Sequence, residues 1–382
     1  MSNIVYIGMD VHKDNYTLCC YSYDKDELQY KTTIPPDYKM ILKYLEQTRK
    51  REGAETEFIC GYEAGCLGYI LYHQLIEHGV RCIILAPTTM AITNNNRVKT
   101  DKRDAGNIAR CLAFHTYSEV YIPTAEDEAI KEYIRMRDDQ KKALKIIKQQ
   151  ILALVLRQGY RYEGGRNYWT IKHVAWLNSI DLSGILQETL NEYLVTYEYL
   201  TNKIERLDKR IEELAEGERY KENVSKLNCL IGVKTHTALS VIVEIGDFRR
   251  FDKAEKLAAY LGLAPGEDSS GGTQKRLGIT KAGNTHIRTL LVESAQSYTR
   301  GAVGHKSANL KQRQLGNTPQ VIAYADKANE RLRRKFYRMT LKNNINRNVA
   351  ATAIARELAC FMWGLMTDQI TPHVNDSIVI QE

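Results

Sequence analysis

A chain of 382 residues has room for two or three domains with a substantial core. Lys and Arg number 54 against 46 for Asp and Glu, a net charge of +8, which excludes an acidic solvating chain and points to an anionic partner. No apolar run approaches the roughly 20 residues of a membrane span. The polar residues Asp10, His12, Lys13 and Asp14 interrupt any signal-peptide stretch, so a cytoplasmic protein with no membrane partner is expected.

Strand and helix alternate over the first third. Residues 4–10 read as a strand and 16–23 as a second, joined by the tight connection His12-Lys13-Asp14-Asn15. Residues 38–51 have helical periodicity, 58–63 form a third strand, 67–78 a helix, and 80–86 a buried strand stopped by Pro87. Residues 101–115 carry helix formers with an apolar stripe at Ile108, Cys111 and Leu112. Two long helices follow, 126–156 and 185–215, with a break at 159–165; the first is basic on one side through Lys141, Lys142, Lys145 and Lys148. The second repeats Leu200, Ile204, Leu207, Ile211 and Leu214 at 4-3-4-3 spacing, the seam of a short coiled coil. An antiparallel hairpin within the chain and a dimerising arm both satisfy that pattern. From Val224 the chain reads as helical to about residue 367, with a polar tail behind it.

Four carboxylates carry the first chemical signal. Asp10 and Glu63 close short apolar strands, and Asp101 with Asp104 stand one helical turn apart in Lys99-Thr100-Asp101-Lys102-Arg103-Asp104. Converging carboxylates repel, and a divalent cation such as Mg²⁺ relieves that repulsion. Paired ions about 3.5–4 Å apart suit in-line displacement at a phosphodiester. Taken alone, the Asp101/Asp104 pair reads first as a solvated face beside Lys99, Lys102 and Arg103; the strand-end acids Asp10 and Glu63 tip it toward a metal site. The stretch 7–13 also fits the first phosphate loop of an actin-like kinase, but residues 120–220 offer no second such loop.

A second constellation is Leu261-Gly262-Leu263-Ala264-Pro265-Gly266-Glu267-Asp268-Ser269-Ser270-Gly271-Gly272, followed by Ile279-Thr280-Lys281-Ala282-Gly283-Asn284. Glycine-rich backbone admits a nucleic-acid phosphate closely, with Arg276, Lys281 and Arg288 available to pair with it. Serines in such a loop are turn formers, phosphate donors or, in the sharper reading, a nucleophile without an adjacent His base. Residues 230–238 resemble half of a helix-hairpin-helix, with Lys234 in place of its second glycine. His12, His236 and His286 read as polar contacts rather than ligands. The eight cysteines show no CxxC and no spacing shared with histidine, so buried reduced thiols are expected rather than zinc ligands.

The basic charge is concentrated. Residues 296–350 hold twelve Lys/Arg against two acids, a net +10, leaving the remainder near neutral. Arg331, Arg333, Arg334 and Lys335 in that segment are expected to track phosphates.

The set formed by GMDVHK, a strand-end YEAG, KTDKRDA and AAYLGLAPGEDSSGG with GITKAGN closely resembles the DEDD-type transposases of the insertion-sequence one-ten family and the related Piv-type DNA invertases. The resemblance implies a ribonuclease-H/RuvC-like α/β domain (1–122), a helical coiled-coil region (123–220), a mainly helical transposase domain (221–368) and a flexible tail (369–382). It puts the acidic tetrad on Asp10, Glu63, Asp101 and Asp104, and the catalytic serine on Ser270, with Ser269 as the neighbouring alternative. It further implies Mg²⁺, a covalent phosphoserine link to DNA, and a structured non-coding guide RNA that pairs with donor and target DNA. Ser270 and the acids fall in different domains, so a homo-oligomer of at least two chains, with the seam joining them, is expected. The rival readings are a RuvC-like nuclease that uses water on branched DNA, with the serine structural, and an inactive nucleic-acid-binding scaffold.

Overall fold

The computed structural model describes residues 4–22, 25–65, 67–87, 101–270 and 273–370, with backbone alone at 101–103, 267–270 and 273–276. It falls into two compact units, Met1–Ile122 and Pro123–Glu382.

The first unit is a mixed five-stranded sheet in the order β3-β2-β1-β4-β5, where β1 is Ile4–Val11, β2 Tyr16–Ser22, β3 Glu27–Ile34, β4 Glu57–Glu63 and β5 Arg81–Leu85. β1 runs antiparallel to β2 and parallel to β4. Strand alternation divides the side chains between two cores. Val5, Ile7, Met9, Phe58, Cys60 and Tyr62 pack on one face with Ile41 and Leu45 of α1 (Tyr38–Glu52) and Leu71 and Leu75 of α2 (Ile70–Glu77). Tyr6, Tyr21, Ile59, Ile83 and Leu85 pack on the other with Ile108, Ala109 and Leu112 of α3 (Asp101–Phe114). α1 starts where Asp37 caps the Lys39 amide and ends at Gly53, whose φ of 115° suits only glycine. β3 is unannounced in the sequence: it is a half-exposed edge strand with a polar composition, so it shows no apolar alternation.

The second unit is mainly helical. α4 (Ala125–Arg157) begins at a Thr124 cap with Glu126, Asp127 and Glu128 in its first turn, where the helix dipole favours them. α4 and α6 (Ile185–Ala215) form an antiparallel hairpin. Ile130 and Ile134 meet Ile211 and Ala215 at one end, and Ile151, Leu154 and Val155 meet Leu190 at the other. The short α5 (Ile171–Asn178) lies between them. The 4-3-4-3 seam is therefore occupied within the chain: Leu200, Ile204 and Ile211 are buried, and Arg137 of α4 pairs with Asp208 of α6 at 2.6 Å. Within the chain this is the antiparallel hairpin, one of the two arrangements the spacing allows, with Leu207 and Leu214 half-buried.

The core that ends this hairpin also contains α7 (Glu218–Asn228), α8 (Thr235–Ile245) and α9 (Ala254–Tyr260), together with the later helices α10 (Thr285–Ala295), α12 (Pro319–Tyr337) and α13 (Arg347–Met366), while α11 (Ala308–Gln314) precedes α12 outside that cluster. The helical region and the transposase region thus share one unit. α13 is long and apolar enough to cross a membrane, but its Ala350, Ile354, Leu358 and Met362 lie at the centre of this core. Between α9 and α10 a hairpin of β6 (Pro265–Ser270) and β7 (Thr273–Ile279) stands where the sequence reads only as a glycine-rich loop.

Candidate active site

In the first unit, backbone register brings the acids toward one end of the sheet. Met9 of β1 is level with Tyr62 of β4, so Asp10 and Glu63 come next on neighbouring parallel strands. Gly8 and Gly61 are paired and both face α3: a Cβ on Gly8 would meet Ala105 O at 2.0 Å, and one on Gly61 would meet Leu112 at 2.9 Å. Asp10 and Glu63, two residues beyond, share that face. At the far end of α3 the Phe114 ring lies 5.7 Å from Tyr21, which is level with Tyr6. The helix therefore starts, with Asp101 and Asp104, over the strand ends that carry Asp10 and Glu63. His12 Nε2 is 3.2 Å from Asp10 Oδ2, the polar contact its type leads one to expect. Among the described residues no three His, Cys, Asp or Glu side chains are grouped closely enough to hold a metal ion. The Asp101 side chain and the whole of Lys99 lie outside the described residues.

In the second unit, Ser270 ends β6 and is level with Thr273, while Ser269 is level with Gln274. The side chains of Ser269, Ser270 and Arg276 lie outside the described atoms. Two glycines flanking this hairpin, Gly262 and Gly283, join its two feet. Gly262 (φ +67°) approaches Ala282 O at 2.0 Å from its Cβ position, and Gly283 (φ +78°) approaches Tyr260 O at 1.9 Å. Thr280 and Lys281 donate their amides to Ala264 and Gly262 at 3.0 and 3.1 Å. Arg288 donates to the carbonyls of Leu261 and Ala282, so its guanidinium braces the same junction. Lys281 is exposed. Gly232 of the helix-hairpin-helix-like turn likewise faces protein, with Ser294 O 2.2 Å from its Cβ position.

The expected phosphate-binding residues of α12 divide by burial. Arg331 and Arg334 are exposed, and with Lys327 and with Arg338, just past the helix end, they recur at helical spacing on one face. Arg331 also pairs with Glu357, and Lys335 reaches the same carboxylate at 3.3 Å while mostly buried. Arg333 is 6% exposed and donates to the carbonyls of Ala302 and His305. The phosphate role expected of Arg333 does not fit this position, since its charge holds a loop inside the protein.

One cluster escaped the sequence reading. Asp138 of α4 accepts from His286 Nε2 at 2.8 Å, and His286 Nδ1 lies 3.0 Å from Glu244 of α8. His236 Nε2 stands 3.0 Å from the other Asp138 oxygen without hydrogen-bond alignment. Arg135 grips Glu244 at 2.7 and 3.0 Å, Arg137 joins Asp138 to Asp208, and Asn284 donates to Glu244 at 2.8 Å. With carboxylates at both ring nitrogens, His286 must donate from both and is an imidazolium. Burial opposes that charge, but Asp138 and Glu244 raise its pKa to about 9. Burial likewise opposes the carboxylate of Glu244, yet His286 and Arg135 bring it down to about 2. Asp138 is held well below the carboxylate range by its histidines and Arg137, against the cost of burial.

Two family models cover most of the regions that hold these features. One described as "Transposase", for DEDD transposases of IS110 elements, matches residues 7–160, and one described as "Transposase IS116/IS110/IS902 family" matches residues 224–312. The transposase for insertion sequence element IS1533 of Leptospira borgpetersenii is 31% identical over 339 residues, 88% of this chain and 96% of that protein. The chain belongs to the IS110 family of DEDD transposases. The putative transposase y4qE of Sinorhizobium fredii is 33% identical over 361 residues (94% of this chain, 88% of that one). The transposase for IS1111A of Coxiella burnetii is 24% identical over 382 residues, covering 97% and 92%. This transposase is accordingly an enzyme that cuts and rejoins DNA, and its DEDD domain implies a ribonuclease-H-like fold for the first unit and use of a divalent metal.

Proposed function

We propose that this transposase mobilises its element through a covalent phosphoserine link at Ser270, with Asp10, Glu63, Asp101 and Asp104 holding Mg²⁺ and a structured non-coding RNA pairing with donor and target DNA. The observation that carries the reading is the strand-end register of Asp10 and Glu63 beneath the start of α3, where Asp101 and Asp104 lie. Carboxylate oxygens on rigid elements are the hard donors Mg²⁺ prefers. When bound, the ion supplies charge stabilisation at phosphoryl oxygens and lowers the pKa of an attacking alcohol, which fits a serine with no adjacent base.

In this reading the Ser270 hydroxyl loses its proton and its oxygen attacks phosphorus. The bond to the 3′ oxygen breaks, that oxygen takes up a proton, and the 5′ phosphate stays on the serine. An incoming 3′ hydroxyl reverses these changes, restoring a phosphodiester and freeing Ser270. The exposed stripe Lys327, Arg331, Arg334 and Arg338 suits the sugar–phosphate backbone of the RNA or DNA. Sequence choice then rests with base pairing, as in other RNA-guided systems. A homo-oligomer of at least two chains remains part of the reading, through a surface other than the filled α4–α6 seam.

The deciding experiment traps reaction mixtures in denaturant and looks for labelled DNA bound covalently to protein. The wild-type chain should yield the adduct and Ser270→Ala should not. Metal-dependent cleavage without any adduct would replace this reading with hydrolysis by water. RNA that copurifies with the protein, once sequenced, should contain segments complementary to donor and target.

A further inference from the structure

The β6–β7 hairpin is a two-stranded sheet whose described residues pair with no third strand. Such a ribbon has little rigidity of its own, so its direction is set where it joins the rest of the unit. Ser270 is five residue steps from Pro265, roughly 17 Å at the rise of an antiparallel strand. A tilt of about 10° at the foot would shift the tip by about 3 Å, and a displacement of even 1 Å at a reacting group costs roughly a hundredfold in rate. Whatever holds the foot therefore controls the serine.

The outgoing foot passes from Ile279 through Thr280–Asn284 directly into α10. Asn284 caps that helix by accepting from the Ile287 amide at 3.0 Å, and it donates to Glu244. His286, on the first turn of α10, reaches both Glu244 and Asp138. We propose that His286 is a positioning residue for DNA strand transfer, clamped between Asp138 and Glu244 so that the foot of the serine hairpin is fixed to α4 and α8. The catalytic half of this inference rests on Ser270 being the nucleophile.

The surroundings of His286 are accounted for from every packed element. α4 contributes Arg135, Arg137 and Asp138, α6 contributes Asp208, α8 contributes His236 and Glu244, and the cap of α10 contributes Asn284. Arg135, Arg137 and the His286 imidazolium balance Asp138, Asp208 and Glu244, so the cluster needs no ion or ligand to be neutral. Such a partly buried ion network adds little net stability over apolar packing; here carboxylates at both ring nitrogens hold His286 in one orientation. Loss of the His286 proton turns one of its two donors into an acceptor facing a carboxylate, and the clamp opens.

The test uses the full chain with its copurified RNA, a plasmid carrying the intact element, and Mg²⁺. Adduct formation is followed from pH 6.5 to 10, alongside hydrogen exchange of the Thr280 and Lys281 amides, expressed as protection factors. In the wild type both should hold to about pH 8 and fall together as pH passes the region where His286 titrates. His286→Gln should lose ten- to hundredfold in adduct rate and most of the Thr280 and Lys281 protection already at pH 7.5, with no further step near pH 9 and with DNA affinity unchanged. Protection in α13 should stay at the wild-type level. Wild-type adduct rate and foot protection in His286→Gln would overturn the proposal, as would a uniform loss of protection including α13, which marks a merely structural role. Ser270→Ala separates the two readings: an adduct formed by that variant removes Ser270 as nucleophile, while the exchange data still judge the clamp.

Discussion

Gly8 of β1 and Ala105 of α3 approach through their backbones, so that a methyl group at Gly8 would lie 2.0 Å from the Ala105 carbonyl oxygen and 2.4 Å from the Ala109 nitrogen. Nothing larger than glycine permits this approach. It seats the helix directly on the strand whose next inward residue is Asp10, and it places Asp104 one residue before the point of contact. Gly8→Ala is expected to lift α3 from the sheet, costing about 1–3 kcal/mol as overpacking. Denaturant unfolding would record the loss and a cleavage assay a large drop in activity. A variant with wild-type stability and cleavage would show that this close approach is dispensable.

Carboxylate neutralisation should separate chemistry from binding. Asp10→Asn and Asp104→Asn, made singly, are expected to lower strand cleavage by at least a hundredfold while leaving nucleic-acid affinity within about threefold, since Mg²⁺ ligands act on the reacting phosphate. Filter binding and gel cleavage on the same preparations read both. Undiminished cleavage in both variants would remove these two acids from the site.

Stability should depend on pH through the α4–α8–α10 cluster. His286 has a folded pKa raised from 6.5 to about 9, so its contribution is complete below 6.5 and lost as pH rises through 9. Glu244 has a folded pKa lowered from 4.5 to about 2, so its contribution is complete above 4.5 and lost as pH falls through 2. The cluster therefore stabilises most between pH 4.5 and 6.5. Urea midpoints should fall from pH 6.5 to 9.5, and this fall should shrink in His286→Gln; an identical fall in the variant would point to other titrating groups.

Salt dependence should distinguish surface from interior charge on α12 and its C-terminal cap. Neutralising Lys327, Arg331, Arg334 and Arg338 together is expected to flatten the slope of log affinity against log salt by up to about 0.9 per lost DNA phosphate contact. Arg333→Met should leave the slope alone and instead destabilise the fold by roughly 1–3 kcal/mol, because the carbonyls of Ala302 and His305 lose their donor. An unchanged slope in the fourfold variant would mean the exposed stripe is only a solvated face.

Sharing of sites between chains can be read by mixing Ser270→Ala protein with Asp10→Asn protein, each inactive alone. Partial recovery is expected if one subunit's serine works with another's acids. Failure to recover despite demonstrated mixed assemblies would assign each complete site to a single chain.

Much of the first unit was legible along the chain because its signals are local. Apolar runs ending in Asp10 and Glu63 announce strands whose last residues emerge at an edge, and the spacing of Asp101 and Asp104 places them on one helical face. β3 escaped because an edge strand with one solvated side needs no apolar alternation. The β6–β7 hairpin escaped because Gly-Glu-Asp-Ser-Ser has the composition of a turn, and only its neighbours make it a ribbon. Arg137 left one trace: it follows Ile130 and Ile134 on the buried side of α4, where a charge needs a partner.

The sequence by itself determined most of the helices and the strands carrying the acids, the serine loop and the family, since each depends on residues close together or on a recurring set of short motifs. Tertiary structure alone decided three other matters. It filled the Leu200–Ile211 seam with α4, because an apolar stripe takes whichever complementary face is nearest and its periodicity is blind to which chain supplies it. It turned Gly262 and Gly283 from a presumed phosphate cradle into a backbone junction, since positive φ permits close approach without naming what approaches. And it gathered Asp138, His236, Glu244 and His286 from three helices into one partly buried ion network. Ionic partners are chosen by distance in space, and residues some 150 positions apart carry no record of each other in the chain.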